Sequence, residues 1–399
     1  MKNKNIDVKK LLKTLAPVFV AIIVVSVLAI SGSITKNSDT KNPEFSTTST
    51  TAPTTTKPQN TKVSLVAVGD NLIHNTVIAA GKQADGTYNY DACYETISPY
   101  IKEADLACIN QETMLGGSAF EYTGYPLFNT PWEVGDACIN AGFDVFTCAT
   151  NHTLDKVVEG INQAITYFSQ NPSVTFAGIN ATQEDADKIT YVEKNGITFA
   201  ILSYTYGTNG IPLPQDTPWV VNMLDEQKVT KDITEARKNA DVVIVFPHWG
   251  VENSHGVSEQ QQKYVKLFSD LGVDIVIGTH SHVLQPVEWY TNQETGKTML
   301  VYYSLGNFIS HQINKDQLCG GMAQITVEKI NGEISITNAK LAPLVCHYRN
   351  TGSGYAFNVY MLKDYTADFA NTHAQKGITP DYCTELCKGI VSEEFLKLD

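Results

Sequence analysis

The sequence predicts an α/β protein in which buried strands alternate with helices, and three observations support that prediction. After residue 61, short apolar runs rich in β-branched residues recur along the chain. Stretches with helical periodicity lie between the runs, and polar side chains directly follow several of them. Because the runs do not alternate apolar with polar residues, the strands are expected to be buried on both faces.

Seven apolar runs mark the expected strands, at 63–68, 104–109, 143–149, 197–204, 241–246, 273–277 and 299–303. Helices are expected at 133–140, 157–168 and 259–271, where helical periodicity ends at recognisable stop signals. A β-hairpin is expected over 322–342, because Asn331 and Gly332 separate two strand-like stretches. The sequence thus predicts a layered domain.

The first residues differ from the rest in composition. Residues 1–13 contain five lysines, and residues 14–34 contain no charged residue. About 20 such residues can cross a bilayer core, and the positive-inside rule leaves the lysine-rich side in the cytoplasm. We expect residues 1–13 to be a cytoplasmic tail and residues 14–34 a transmembrane anchor, with a signal peptide as the alternative. The protein is then a single-pass protein of the cell membrane with its folded domain extracellular.

Residues 35–60 are rich in Ser, Thr and Pro, which predicts a disordered linker. Residues 61–345 are expected to form one domain and residues 346–399 a C-terminal extension.

Residues 1–60 carry eight lysines and three acidic residues, so the formal charge of −13 leaves −18 on residues 61–399. A domain this acidic repels nucleic acid, and we expect no nucleic-acid partner.

Eight cysteines form an even number, which allows one or two disulfides in an extracytoplasmic chain. Cys383 and Cys387 lie four residues apart, but no second Cys or His pair accompanies them at zinc-site spacing. We therefore expect these two cysteines to have a structural role.

Potential metal ligands stand just after the C-terminal ends of the apolar runs. The segments are VAVGDN with Asp70, LACINQE with Asn110 and Glu112, FTCATNHTLD with Asn151, His152 and Asp155, VIVFPHWGVE with His248 and Glu252, and VIGTHSH with His280 and His282. In open α/β sheets the carboxyl ends of the strands border the ligand crevice. These side chains are therefore expected to converge.

The residue types indicate a catalytic rather than a structural metal. Carboxylate, amide and imidazole ligands together suit Mn²⁺, Fe²⁺ or Zn²⁺, and the set contains no cysteine. A bridging carboxylate holds two ions about 3.5–4 Å apart, and phosphoester hydrolysis is the natural reaction of such a site. Structural roles are the alternative, with Asp70 in a turn and His152 or Asp155 at a helix start.

At these residues the sequence resembles the CapA family of poly-γ-glutamate capsule biosynthesis proteins, whose domain is similar to the calcineurin-like metallophosphoesterases. The resemblance covers about 63–345 and rests on the stretches VGDN, NQET, AGFDVFTCATNHTLD, PHWGVE, DIVIGTHSHVLQPVEWY and VYYSLGNFI. It implies a four-layer α/β/β/α sandwich of the metallo-dependent phosphatase type.

The resemblance also implies roles for individual residues. One ion would be held by Asp70, Glu112 and His282, and a second by Glu112, Asn151, His248 and His280. Glu112 would then bridge, and His152 would be the general acid. Contacts to substrate or to the ligands are implied for Asn110, Asp155, Glu252, His255 and Asn307. Leu72 stands where those phosphoesterases have a histidine, and the nearest histidine is His74, so the number of ions, one or two, stays open.

Three functional hypotheses follow. The first is a membrane-anchored metal-dependent hydrolase of the cell envelope, acting on a phosphoester or amide bond in an anionic polymer such as poly-γ-glutamate. The second is a non-catalytic component that binds metal and polymer beside membrane synthase or export subunits. The third is an extracellular domain that binds nucleotides or small phosphates, with Trp132, Trp289 and Tyr290 lining its pocket.

Overall fold

The computed structural model describes residues 60–399. The expected tail at 1–13, the anchor or signal peptide at 14–34 and nearly all of the linker at 35–60 lie outside the described residues. Within residues 60–399, no helix has both the length and the apolar character needed to cross a bilayer.

Strands of residues 60–399 assemble into two sheets. The strands are β1 Thr61–Asn71, β2 Leu106–Asn110, β3 Val145–Thr147, β4 Thr175–Ala177, β5 Thr190–Lys194, β6 Ile197–Thr205, β7 Val242–His248, β8 Ile275–Ile277, β9 Val287–Thr291, β10 Thr298–Tyr302, β11 Asn307–Ile309, β12 Cys319–Ile330, β13 Glu333–Asn350 and β14 Tyr355–Met361. The first sheet has the order β14-β13-β12-β1-β2-β3-β4, with β11 beside β1. The second has the order β5-β6-β7-β8-β10-β9. All seven expected strand segments are confirmed.

The helices lie between the strands along the chain. They are α1 Asn75–Gly81, α2 Asp91–Tyr94, α3 Ser98–Lys102, α4 Trp132–Ala141, α5 Val157–Gln170, α6 Gln183–Ala186, α7 Glu226–Asn239, α8 Glu259–Asp270, α9 Ala367–Thr372 and α10 Pro380–Ile390. Short 3₁₀ helices cover Gly117–Ala119, Lys315–Leu318 and Leu362–Asp364. The three expected helices correspond to α4, α5 and α8.

Four layers follow from how successive strand residues alternate between the two faces of each sheet. From β1, Leu65 packs into the core between the two sheets, whereas Val66 packs into the core beneath α1, α4 and α5. From β6, Phe199 packs between the sheets, whereas Leu202 packs against α7 and α8. The predicted α/β/β/α sandwich is confirmed.

Local sequence signals explain where several elements begin and end. The Asp225 carboxylate caps α7 by accepting from two backbone N–H groups, and Ser258 forms a capping box at the start of α8. The expected hairpin is confirmed as β12 and β13, which are longer than the expected segment. Its two-residue turn places Asn331 and Gly332 at φ 53° and 89°, as a type I′ turn requires.

Parallel pairing brings the strand ends that matter for function to one edge of the molecule. In the first sheet β1, β2 and β3 run parallel, and in the second β6, β7, β8 and β10 do. Beside the end of β1, Asp70 is in register with Asn110 of β2 and with Asn307 of β11. The carboxyl ends of both sheets therefore border one cleft.

The C-terminal residues join the same cores. Strand β13 runs through the boundary expected at 345, and its partner β14 completes the edge of the first sheet. On α10, Cys383 packs into the core of the helix layer and Cys387 into the core between the sheets. Both cysteines are fully buried, which fits the structural role expected for them.

Replacement of Phe199, which is fully buried between the sheets, tests the central core. We expect Phe199→Ala to lower the free energy of unfolding by about 3–5 kcal/mol, because it removes apolar burial and leaves a cavity. Phe369→Ala, at a side chain that is 38% exposed, is the control and should cost about 1 kcal/mol. Denaturant unfolding measures both, and equal losses would contradict the assigned core.

Candidate metal centre

Glu112 stands at the centre of the cleft with its charge buried. The residue lies two positions past the end of β2 and is 1% exposed. Neither carboxylate oxygen has a hydrogen-bond partner among the described residues. Burial, reinforced by the nearby Asp70 carboxylate, raises the pKa of Glu112 well above its ordinary value. A buried carboxylate without partners is costly unless a cation compensates it.

Two histidines from the segment after β8 reach the same point. Ligand atoms of Glu112, His280 and His282 all lie within 4.8 Å of one another. The Nδ1 atom of His280 is buried and has no hydrogen-bond partner among residues 60–399. Burial lowers the pKa of His280 to about 3, so its imidazole is neutral and offers a lone pair. This is the protonation state that a metal ligand needs.

The Asp70 carboxylate, at the end of β1, makes hydrogen-bond contacts with both of these histidines. Its carboxylate accepts a hydrogen bond from Asn110 Nδ2 at 2.8 Å and from the backbone N–H of His280 at 3.3 Å. His282 Nδ1 lies 3.1 Å from Asp70 Oδ2 and 3.1 Å from Asn307 Oδ1. Burial alone would lower the pKa of His282, but the Glu112 and Asp70 carboxylates outweigh it and raise that pKa to about 9.

Asn151 and His248 form the opposite side of the cluster. His248 Nε2 lies 2.9 Å from Asn151 Oδ1 and 3.7 Å from Glu112 Oε1, while its Nδ1 lies 3.0 Å from Thr279 Oγ1. Burial, with His280 nearby, lowers the pKa of His248 well below its ordinary value.

His152 lies at the edge of the cluster and is held by its neighbours. Its Nδ1 is 2.7 Å from Asp155 Oδ2, which also accepts the backbone N–H of Phe128 at 2.8 Å. The Phe128 ring packs edge-on against His152, with centroids 4.7 Å apart. These contacts fix the imidazole and leave Nε2 on the side away from Asp155. Asp155 therefore orients His152.

Of the remaining residues expected at the site, three lie in or beside the Glu112 cluster and one lies away from it. Asn110 and Asn307 contact Asp70 and His282, as above. Glu252 is exposed beside the cleft and close enough to affect the pKa of Glu112. His255, in contrast, lies away from the cluster, because its Nδ1 contacts the Leu284 carbonyl and its Nε2 the Asp316 carboxylate.

The missing first-motif histidine is not replaced by a neighbour. Leu72 is buried, and His74 sits at the start of α1 with its Nδ1 accepting the backbone N–H of His311 at 3.2 Å. The His74 ring packs edge-on against Phe128. Burial lowers the pKa of His74 to about 4. His74 therefore lines the cleft outside the Glu112 cluster.

Sequence reasoning missed the loop after β6. The Tyr206 ring packs on His280 with centroids 4.5 Å apart, and its backbone N–H donates to the His248 carbonyl. Asn209 accepts a hydrogen bond from Asn151 Nδ2 at 3.1 Å and lies beside His152. Residues 206–209 include no acid or histidine to mark them, but their position after a parallel strand was a usable signal.

The aromatic residues considered for a nucleotide pocket lie in different layers. Trp132 belongs to α4 beside the first sheet, where its Nε1 donates to the Leu115 carbonyl. Trp289 and Tyr290 belong to β9 at the edge of the second sheet. They do not share a pocket.

The residues present fit a divalent cation. All six side chains expected as ligands, Asp70, Glu112, Asn151, His248, His280 and His282, are at most 3% exposed and linked by the contacts above. Glu112 lies between the His248 and His282 sides, 3.7 Å from one and 3.8 Å from the other. Its unpartnered oxygens and the free Nδ1 of His280 are what a bound ion would satisfy.

Removing the buried charge tests that fit. We expect metal-free Glu112→Gln to be at least as stable as the metal-free wild type, because the change keeps the size of the side chain and removes a buried carboxylate that accepts no hydrogen bond from the described residues. Mn²⁺ at about 100 times its dissociation constant should stabilise the wild type by about 2.7 kcal/mol. Thermal unfolding should show no such gain for Glu112→Gln, while the exposed Glu193→Gln serves as control.

The raised pKa of His282 predicts a pH dependence for the metal-free protein. A folded-state pKa of about 9 against an ordinary 6.5 contributes stability that is complete below pH 6.5 and is lost as the pH rises through 9. The unfolding free energy should fall by about 3 kcal/mol between pH 6.5 and 9.5. Denaturant titrations with a chelator measure it, and His282→Asn should flatten the profile. A profile that rises over this range would contradict the assignment.

Sequence comparisons place these residues in a known family. The family described as "Bacterial capsule synthesis protein PGA_cap" matches residues 64–312. The chain is 35% identical over 172 residues to the PGA biosynthesis protein CapA of Bacillus subtilis (strain 168), covering 43% of each chain. It is 28% identical over 259 residues to the capsule biosynthesis protein CapA of Bacillus anthracis, covering 63% of this chain and 60% of that one. The chain thus spans about half the length of these relatives.

Solved structures similar to this chain have low sequence identity. The NAD nucleotidase NadN of Haemophilus influenzae gives 12% identity and a TM-score of 0.45, over 86% of this chain and 64% of that chain. The calcineurin-like phosphoesterase YfkN of Bacillus subtilis gives 13% identity and a TM-score of 0.42, over 83% of this chain and 97% of that chain. The family match covers more than half of the sequence and includes all six expected ligands, and the chain therefore belongs to the bacterial capsule synthesis protein PGA_cap family.

Proposed function

We propose that this protein acts in the synthesis of an anionic capsule or cell-envelope polymer such as poly-γ-glutamate, as a membrane-anchored extracellular protein with a metal-dependent hydrolase site. The observation that carries the proposal is the buried carboxylate of Glu112 beside Nδ1 of His280, because neither group has a hydrogen-bond partner among residues 60–399. Membership of the family and the two CapA relatives support the choice of polymer. The charge-free stretch at 14–34 supports the anchor.

Glu112, His280 and His282, whose ligand atoms lie within 4.8 Å of one another, would hold one divalent ion. The resemblance instead gives Asp70 to this ion and His280 to the second; in the arrangement proposed here, Asp70 would support His282. Asn151 and His248 would complete a second position that shares Glu112. Such ions supply Lewis-acid activation of the scissile bond and of water. Asp70 Oδ2 and Asn307 Oδ1 would fix the ring orientation of His282, and Thr279 would do so for His248.

His152 is positioned to donate a proton to the leaving group. Asp155 occupies its Nδ1 at 2.7 Å, and Phe128 blocks rotation of the ring. The proton on Nε2 is then the one available for transfer. Asn209 joins His152 to Asn151 and thereby couples the donor to the ligand side of the cluster.

A polyanion meets an unfavourable charge over most of this domain, because residues 61–399 carry −18. Divalent ions in the cleft would supply the local positive charge that an anionic chain needs. The Tyr206 side chain is 38% exposed and packs on His280, so it offers a hydroxyl and an apolar face to a chain that enters the cleft. Binding of the polymer should therefore depend on bound metal.

A second candidate is a polymer-binding component without turnover, working beside membrane synthase or export subunits. One observation favours it: Leu72 replaces the first-motif histidine, and the Nδ1 of His74 is engaged by His311. A site with fewer ligands favours one ion. A single ion can bind carboxylates, but it does not stabilise both the attacking and the leaving oxygen of a displacement reaction. Metal and poly-γ-glutamate should then bind with no hydrolysis.

Two substitutions separate metal binding from proton transfer in the hydrolase. In the purified full chain with Mn²⁺, His280→Ala should lose both bound metal and hydrolysis. His152→Ala should keep the metal and lose about 10²–10⁴-fold in kcat/KM, the usual contribution of a general acid. Elemental analysis measures the metal, and cleavage of a phosphodiester and of poly-γ-glutamate measures turnover.

His311→Ala, with a ring that packs on Tyr348 outside the cluster, is the matched control and should keep metal and activity. Absence of metal from wild-type protein supplied with Mn²⁺ would reject both candidates. Metal and polymer binding without turnover, together with capsule restored to a deletion strain by His152→Ala, would reject the hydrolase in favour of the binding component.

A further inference from the structure

Two cysteines that are far apart in sequence meet behind the cleft. Cys319 is the first residue of β12 and directly follows the 3₁₀ helix Lys315–Leu318, and Cys383 lies in α10. Both are fully buried, and their Sγ atoms are 2.9 Å apart. A thiol hydrogen bond is weak and does not by itself draw two sulfur atoms so close.

We propose that Cys319 and Cys383 form a disulfide that fastens α10 to the 3₁₀ helix Lys315–Leu318. A covalent bond of about 2.05 Å requires an approach of less than about 1 Å from this position. Both cysteines sit on elements that other contacts already hold together. Tyr382, next to Cys383, donates its hydroxyl to Asp316, and the ammonium group of Lys315 lies 4.1 Å from the Tyr382 ring centroid.

The bond would stiffen one wall of the candidate metal centre. Within the 3₁₀ helix, the Gln317 carbonyl accepts a hydrogen bond from Asn307 Nδ2 at 3.0 Å. The other side of the same amide, Asn307 Oδ1, lies 3.1 Å from His282 Nδ1. The disulfide is therefore connected through Asn307 to an expected metal ligand, although it does not depend on catalysis at that site.

Formation of the bond is a thiol–disulfide exchange with a disulfide-bearing oxidant, such as a thiol oxidase or oxidised glutathione. One cysteine thiolate attacks the oxidant and releases one thiol, and the second thiolate displaces the other. Two protons leave the protein thiols, and the oxidant is reduced to two thiols. The hydrogen bond to Cys383 and burial raise the pKa of Cys319 well above its ordinary value, so exchange would precede the docking of α10.

Peptide mapping of the full chain, folded with oxidised glutathione, tests the bond directly. Digestion without reduction should give one linked peptide that contains Cys319 and Cys383. Reduction should lower the melting temperature by about 5 °C and speed hydrogen exchange at 312–320. Both effects should be absent from Cys319→Ser/Cys383→Ser.

Cys387→Ser, one turn along the same helix, is the matched control and should retain the linked peptide and the sensitivity to reductant. Complete alkylation of Cys319 and Cys383 without reduction, in folded and oxidised wild-type protein, would overturn the proposal. Linkage of either cysteine to a different partner would do so as well. Neither result depends on hydrolysis, so absence of the disulfide can be told apart from failure of the proposed function.

Discussion

The structure of the cleft depends on one constraint, the burial of the Glu112 carboxylate where the strand ends of two sheets meet. Taking a carboxylate out of water costs several kcal/mol unless a cation or strong donors replace the lost hydration. No described side chain donates to it. The neighbouring His248 and His280 are held neutral by their own burial, which keeps them from neutralising the charge and keeps their lone pairs available.

Two histidines reach this carboxylate only through unusual backbone conformations. His280 has φ 96° and His282 φ 59°, a region that residues with a β-carbon adopt at a cost of about 1–3 kcal/mol. The hydrogen bond from the His280 N–H to Asp70 and the contacts of His282 hold the segment in place. Backbone strain of this kind clusters at functional sites. The cost is tolerated where it brings ligand atoms together.

Local patterns were sufficient to predict an α/β protein with buried strands and with polar side chains that converge at the strand ends. The four layers and the assignment of ligands were implied by the resemblance to the CapA family. Apolar runs identified the buried strands, and titratable residues at their ends identified Asp70, Glu112 and the histidines. His255 could not be placed this way. It follows His248 by seven residues, but the left-handed residues Gly250 and Asn253 turn the chain away and bring His255 to Asp316.

Other features depend on contacts that no local pattern encodes. Strand β11 has three residues, too few to show a period, yet it pairs with the end of β1 and brings Asn307 to His282. Tyr206 and Asn209 carry no charge that would have identified them before their neighbours were known. Strand β13 has 18 residues and runs past 345, where the resemblance ends and a C-terminal extension was expected to begin.

The length of β1 has a consequence for access. Thr61 and Asp70 lie at opposite ends of this strand, and nine steps of about 3.3 Å separate them by roughly 30 Å. Attaching the protein to a bead or sensor surface through a group just before Thr61 would therefore turn the ligand cluster toward the solution. Long polymer chains could then be presented to the immobilised protein without having to pass beneath it.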